Sequence, residues 1–225
     1  MSDAPLISVR GEAVLEVEPE IARLTVHVQS QESDRRDALD RLTERNRRCL
    51  ELVRSYGDAV EKLETGGLSI VPMLKYRRRE GDIRAYRGTV QIRIVVADFG
   101  VLGELVTRLG DLERVYVDGP EWALRHDSEV YGRAARQAAH EAVERARRYA
   151  EALGSRLTGL VELADEGLGR AQDAGGPVTL AAAYGAAAAG APDEPEPIDL
   201  EPAKQVVRAA VEARFTVSPP DLEPR

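Results

Sequence analysis

LSIVPMLKYRRREGDIRAYRGTVQIRIVV, residues 68–96, reads as a β-hairpin. Two arms, 68–79 and 83–96, flank Glu80-Gly81-Asp82, a short turn centred on a glycine. On the second arm Val90, Ile92, Ile94 and Val96 share one face, and Thr89, Gln91 and Arg93 the other. One face is therefore buried and one is wet. A lone hairpin is at best marginally stable in water, so the arms need further strands or a helix beside them.

Those neighbours can be read outward from the hairpin. Upstream, residues 6–18 alternate through Ile7, Val9, Val14 and Val17, with Gly11 as a bulge or close-approach point. Pro19 marks a turn, and residues 21–29 alternate again through Leu24, Val26 and Val28. A helix follows from Ser33 or Asp34 to about Tyr56, its apolar face carrying Leu39, Leu42, Cys49, Val53 and Tyr56, with Gly57 at the stop. Asp37 to Arg41 and Glu44 to Arg48 have i,i+4 ion-pair spacing.

Downstream, the pattern predicts a short helix over 98–109 and a strand over 112–124, kinked at Gly119-Pro120. A long helix over 127–153 carries Ala134, Ala138, Ala142, Ala146, Ala150 and Gly154 at every fourth position. Such a row is a natural ridge of the helix, and alanine makes it low enough for a close neighbour. A strand over 157–163 comes next. The last strand, 205–217, alternates through Val207, Ala209, Val211, Ala213 and Phe215, and is expected to return to the main sheet.

About seven strands against three helices, several joined by short turns, predict an α+β fold. The expectation is a largely antiparallel mixed sheet with two long helices and one short helix on one side. The element order also hints at an internal β-α-β-β duplication. The whole, residues 1–225, reads as a single domain.

Composition supports this reading. Of 225 residues 43% are hydrophobic and 31% charged, and 31 bases against 39 acids leave a net charge of −8. One cysteine, Cys49, excludes an intramolecular disulfide framework and a thiolate metal cage. No apolar run reaches the roughly 20 residues of a membrane-spanning helix. The opening Met1-Ser2-Asp3-Ala4-Pro5 lacks the features of a secretory signal, so a cytoplasmic location is expected.

Residues 167–203 stand apart. They hold six acids (Asp173, Asp193, Glu194, Glu196, Asp199, Glu201) against Arg170, with eleven alanines, six glycines and five prolines. So few large apolar side chains predict a mobile, acidic linker before a final strand over 204–218. The alternative is a lid closing over a small molecule, which would make the chain a binding protein or an enzyme.

The side chains capable of chemistry are scattered. His27, His126 and His140 have no metal-ligand spacing, and no cysteine accompanies them. Cys49 lies on an apolar helix face, although Arg45, Arg47 and Arg48 nearby leave redox reactivity open. Gly66-Gly67 lacks the lysine and hydroxyl residue of a phosphate loop, and there is no nucleophile elbow or triad. No catalytic, metal or cofactor residues are assigned, and no cofactor is expected. What remains is a basic hairpin tip, Lys75, Arg77, Arg78, Arg79, Arg84 and Arg87, as a candidate interaction surface. The acidic whole and the 4% aromatic content argue against nucleic acid as its partner. The acidic linker of the same or a neighbouring chain is the better match.

Several short motifs together resemble the SIMPL-domain (DUF541) family. They are Ile7-Ser8-Val9-Arg10-Gly11-Glu12-Ala13, Pro19-Glu20-Ile21-Ala22, Ile70-Val71-Pro72, Tyr86-Arg87-Gly88-Thr89-Val90-Gln91-Ile92, the alanine row of 134–154, and Pro197-Ile198. Two features depart from the family: the missing export signal and Ala203, where a glycine is usual after Pro202. The resemblance implies an α+β fold, rings or other homo-oligomers, and no accepted catalytic residues. It links bacterial relatives to oxidative or envelope stress, and an animal relative to binding a signalling kinase. The expectation is a non-enzymatic homo-oligomer or protein-interaction module, acting on copies of itself or on other proteins.

Overall fold

Among the described residues the hydrophobic pattern resolves into three α-helices and seven strands, the strands divided between two antiparallel sheets. The structure is a computed structural model that describes residues 4–74, 83–166 and 197–222. It separates into two compact units: unit 1 from residues 4–17, 126–166 and 206–222, and unit 2 from 18–74, 83–125 and 197–205.

Unit 2 runs β2 (Ile21–Glu32), α1 (Arg35–Arg54), β3 (Val60–Leu74), β4 (Ile83–Val96), α2 (Leu102–Gly110) and β5 (Val115–Ala123), in sheet order β3-β4-β2-β5. This is the split β-α-β arrangement: two β-α-β halves, β2-α1-β3 and β4-α2-β5, interleave so that the first strand of each half lies at the centre. Ala22, Leu24, Val26, Val28 and Ser30 on β2 alternate into the core with Val90, Ile92, Ile94 and Val96 on β4. Both helices cover that face, with Leu42, Cys49 and Val53 from α1 and Leu102, Leu105 and Leu109 from α2. Asp34 caps α1 by accepting the Arg36 and Asp37 backbone N–H groups. Leu39, expected on the apolar face, is exposed, and Ala38 takes the inward position. Gly66-Gly67 lies inside β3, where the register against β4 shifts between Thr65 and Leu68. The kink expected at Gly119 is a register shift of β5 against Arg23 and Thr25.

Unit 1 contains β1 (Leu6–Val17), α3 (Glu129–Ala152), β6 (Leu157–Asp165) and β7 (Gln205–Val217), in sheet order β1-β7-β6. The alanine ridge of α3 is fully buried, and its central members Ala138, Ala142 and Ala146 pack with Val9 and Ala13 of β1 and Val211, Ala213 and Phe215 of β7. Gly11 makes this contact possible: a Cβ there would stand 2.1 Å from the Ala138 carbonyl oxygen and 2.6 Å from the Ala142 nitrogen. Ser128 caps α3 by accepting the Val130 N–H.

β7 does not join the hairpin's sheet. It pairs antiparallel with β6, Phe215 opposite Leu160 and Ala213 opposite Leu163, and forms the middle strand of the smaller sheet. Its alternation correctly announces one buried face, but alternation carries no information about which sheet that face completes.

Candidate interaction surface

The basic hairpin tip is only partly within the described residues: Lys75, Arg77, Arg78 and Arg79 lie outside them. Arg84 and Arg87 are described, exposed, and hold no ion pair among the described residues. Arg87 stands between Val71 of β3 and Gln31 of β2, whereas Arg84 falls where β4 gains a residue on β3, between the pairs Leu74–Ile83 and Met73–Ala85. β4 leaves β2 at the pair Glu32–Tyr86, so residues 83–85 are held by β3 alone. Exposed Leu68, Val71, Leu74 and Ile83 accompany the two arginines along this arm.

The outer strands of both sheets are the other prominent surface. Among the described residues nothing pairs with the free sides of β3 and β5 in unit 2, or of β1 and β6 in unit 1. Leu160, Val161 and Leu163 on β6 are 50% to 58% exposed. Unpaired strand edges offer a row of backbone donors and acceptors to another chain, and apolar side chains on them strengthen the invitation.

Residues 197–203, expected to be part of the linker or lid, are described, and 167–196 lie outside the described residues. The Ile198 N–H donates to the Thr107 hydroxyl of α2 at 3.2 Å, and Leu200 packs against the core of unit 2. The glycine inside α2 is the counterpart of this strap, because a Cβ on Gly103 would lie 2.2 Å from the Ile198 carbonyl oxygen. A glycine in the first turn of a nine-residue helix was the available sign of close approach. Gly103→Ala is expected to undock the strap and speed trypsin cleavage after Lys204 at least tenfold. Thr107→Val, losing one hydrogen bond of about 1 kcal/mol, should give a smaller acceleration on the same gel.

Several other polar groups engage each other. His27 Nε2 lies 3.1 Å from Asp118 Oδ2 on the open face of the unit 2 sheet, while His126 and His140 are exposed on separate elements. Among the described residues no group of three or more His, Cys, Asp or Glu side chains could hold a metal ion. Glu44 is held below the ordinary carboxylate range by hydrogen bonds from Arg47 and Arg48. Of the expected ion pairs, Glu44–Arg48 forms at 2.8 Å, but Arg41 turns from Asp37 toward Glu32 at 4.0 Å; on α3 Arg145 pairs with Glu141 at 3.0 Å.

Cys49 is fully buried in the unit 2 core, and burial pushes its thiol up to about 11. Of the arginines near it in sequence, Arg45 donates to the Gln29 carbonyl and pairs with Glu113, and Arg47 and Arg48 are tied to Glu44. A thiol held protonated is a poor nucleophile. Cys49 should therefore be inert to a disulfide reagent at pH 8 in the folded chain and react within the mixing time in denaturant, as read by absorbance.

The chain matches the family described as "SIMPL: Protein of unknown function (DUF541)" over residues 7–215. It belongs to the SIMPL family. Two curated proteins called "26 kDa periplasmic immunogenic protein" are also similar, one from Brucella melitensis biotype 1 and one from Brucella abortus strain S19, each 27% identical over 172 residues. That similarity covers 71% of this SIMPL chain and 66% of each relative, so the chain spans a little under two thirds of the relatives' length. Their name overturns the expected cytoplasmic location, since both relatives are called periplasmic. That expectation rests on the first few residues, which do not determine the compartment. No helix among the described residues is long and apolar enough to cross a membrane.

Proposed function

We propose that this SIMPL protein acts by association rather than catalysis, as a homo-oligomer or protein-interaction module in the periplasm, serving the response to envelope stress. The observation that carries the reading is the exposed apolar edge: β6 presents Leu160, Val161 and Leu163, and β3 presents Leu68, Val71 and Leu74, beside unpaired strand backbone. Edges of this kind are normally shortened, charged or covered in chains that stay monomeric. The compartment follows the relatives' name.

The basic tip, Lys75, Arg77, Arg78, Arg79, Arg84 and Arg87, adds electrostatic steering toward acidic residues such as Asp199 and Glu201, both exposed. Absolute mass from light scattering after size exclusion, across concentration and at two salt levels, tests the reading. A stable multiple of 24.6 kDa is expected. A monomer throughout would overturn the homo-oligomer. Arg77, Arg78 and Arg79 to Glu should weaken assembly at low salt, and unchanged assembly there would remove the electrostatic part alone.

A further inference from the structure

Residues 197–222 complete both units from the end of the chain. In unit 2 they supply the strap, with Ile198 against Gly103 and Thr107 and Leu200 against the core. In unit 1 they supply β7, the strand between β1 and β6, whose Val211, Ala213 and Phe215 form much of the core. Beyond β7 the stretch is latched again. The Ser155 hydroxyl donates to the Ser218 carbonyl at 2.5 Å, the Arg156 N–H to the Ser218 hydroxyl at 3.1 Å, and the Asp221 N–H to the Leu153 carbonyl at 2.9 Å.

All these seats lie on residues that precede 167, while the residues that fill them follow 196. Only residues 167–196 join the two covalently. Thirty residues can reach at most ~100 Å when fully extended, so chain length does not confine the terminal stretch to its own copy.

We propose that residues 197–222 are a donor element exchanged between copies of this chain, so that the strap and β7 of one copy occupy the α2 seat and the β1–β6 slot of another. The proposal rests on the assembly reading above and specifies what the copies share. An exchanged element keeps every contact it makes at home, so the two arrangements differ only in the entropy of the connection and the supply of acceptors. Within an assembly that supply is high. The middle position of β7 makes the exchange propagate: a copy whose β7 is engaged elsewhere exposes two facing edges, those of β1 and β6, and both need a strand.

Thr158 Oγ1 and Thr216 Oγ1 lie 2.9 Å apart across β6 and β7, which gives a direct test. In a Cys49→Ala background, one copy carries Thr158→Cys and a differently tagged copy carries Thr216→Cys. The two are co-expressed, oxidised and run on a non-reducing gel. A disulfide-linked heterodimer is expected. A chain carrying both substitutions should then oxidise into covalent multimers. The proposal is overturned if the doubly substituted chains oxidise wholly as monomers and the mixed single variants give no heterodimer. It is overturned equally if the 158–216 pair does not oxidise at all, since it is in contact wherever the element sits. A multimeric mass alongside either result would leave the assembly reading standing and remove the exchange alone; a monomeric mass would remove both.

Discussion

Gly11→Ala is expected to lower the stability of unit 1 by about 3 kcal/mol, the upper part of the usual range for overpacking. The added methyl would meet the Ala138 carbonyl oxygen at 2.1 Å, the Ala142 nitrogen at 2.6 Å and the Ala142 Cβ at 2.7 Å. Two of those three atoms are helix backbone and have no rotamer into which to retreat. α3 must therefore lift from β1 along the contact where its alanine ridge is seated, and the burial of Ala138, Ala142 and Ala146 is lost with it. The measurement is a urea unfolding curve followed by circular dichroism. Gly67→Ala is the control, because nothing stands within 4 Å of a Cβ at that position. It should shift stability by no more than about 0.5 kcal/mol, as surface substitutions usually do. Equal midpoints for the two variants would mean that the ridge does not rest on β1 as described.

The second large effect belongs to unit 2. Leu42→Ala removes a side chain that is 1% exposed and lies beneath the β2–β4 ladder, where a Cβ on Gly88 would come within 2.9 Å of it. Leucine-to-alanine changes at such sites cost about 3 kcal/mol or more, from lost transfer energy and the cavity left behind. Cys49, in the same core cluster, supplies the readout. Its labelling requires unit 2 to open, and about 3 kcal/mol corresponds to roughly a hundredfold change in the open population at 1.4 kcal/mol per decade. Thiol labelling of Leu42→Ala under native conditions should therefore run about a hundredfold faster than that of the parent. An unchanged rate would place Leu42 outside the cooperative core.

The sequence signature that carries the family resemblance turns out to mark packing rather than chemistry. Gly11 admits α3. Gly88 leaves room for Leu42 and for Ser30, whose hydroxyl donates to the Ala38 carbonyl at 2.7 Å. The alanine row is the helix side of the Gly11 contact, and Pro197-Ile198 leads into the strap on α2. Strands, helices and their inward faces were legible because each follows a local period of two or 3.6 residues. The division into two sheets was not, since the period along β7 is the same whichever neighbours it finds. Nor was the strap: Ile198 and Leu200 are two apolar residues in an acidic, proline-rich stretch, and the feature that makes them a contact, Gly103, lies 95 positions earlier. For the candidate surface, charge alone singled out Arg84 and Arg87. The register shift that separates their settings on β4 depends on the partner strand, which no local pattern reveals.

The order in which the chain becomes available has its own consequence. Residues 18–125 contain every described strand and helix of unit 2, so that unit can assemble as soon as they have emerged, before its strap exists. Unit 1 cannot. The Pro5 carbonyl must wait for the Val217 N–H, which bonds it at 2.9 Å. At 5–20 residues per second the delay is roughly 10–40 s, during which β1 carries its apolar face with no strand beside it. β1, made before every element of unit 2, is thus satisfied after all of them, and a chaperone or a translocation pore would hold the two outer parts of one small sheet apart while the residues between them emerge.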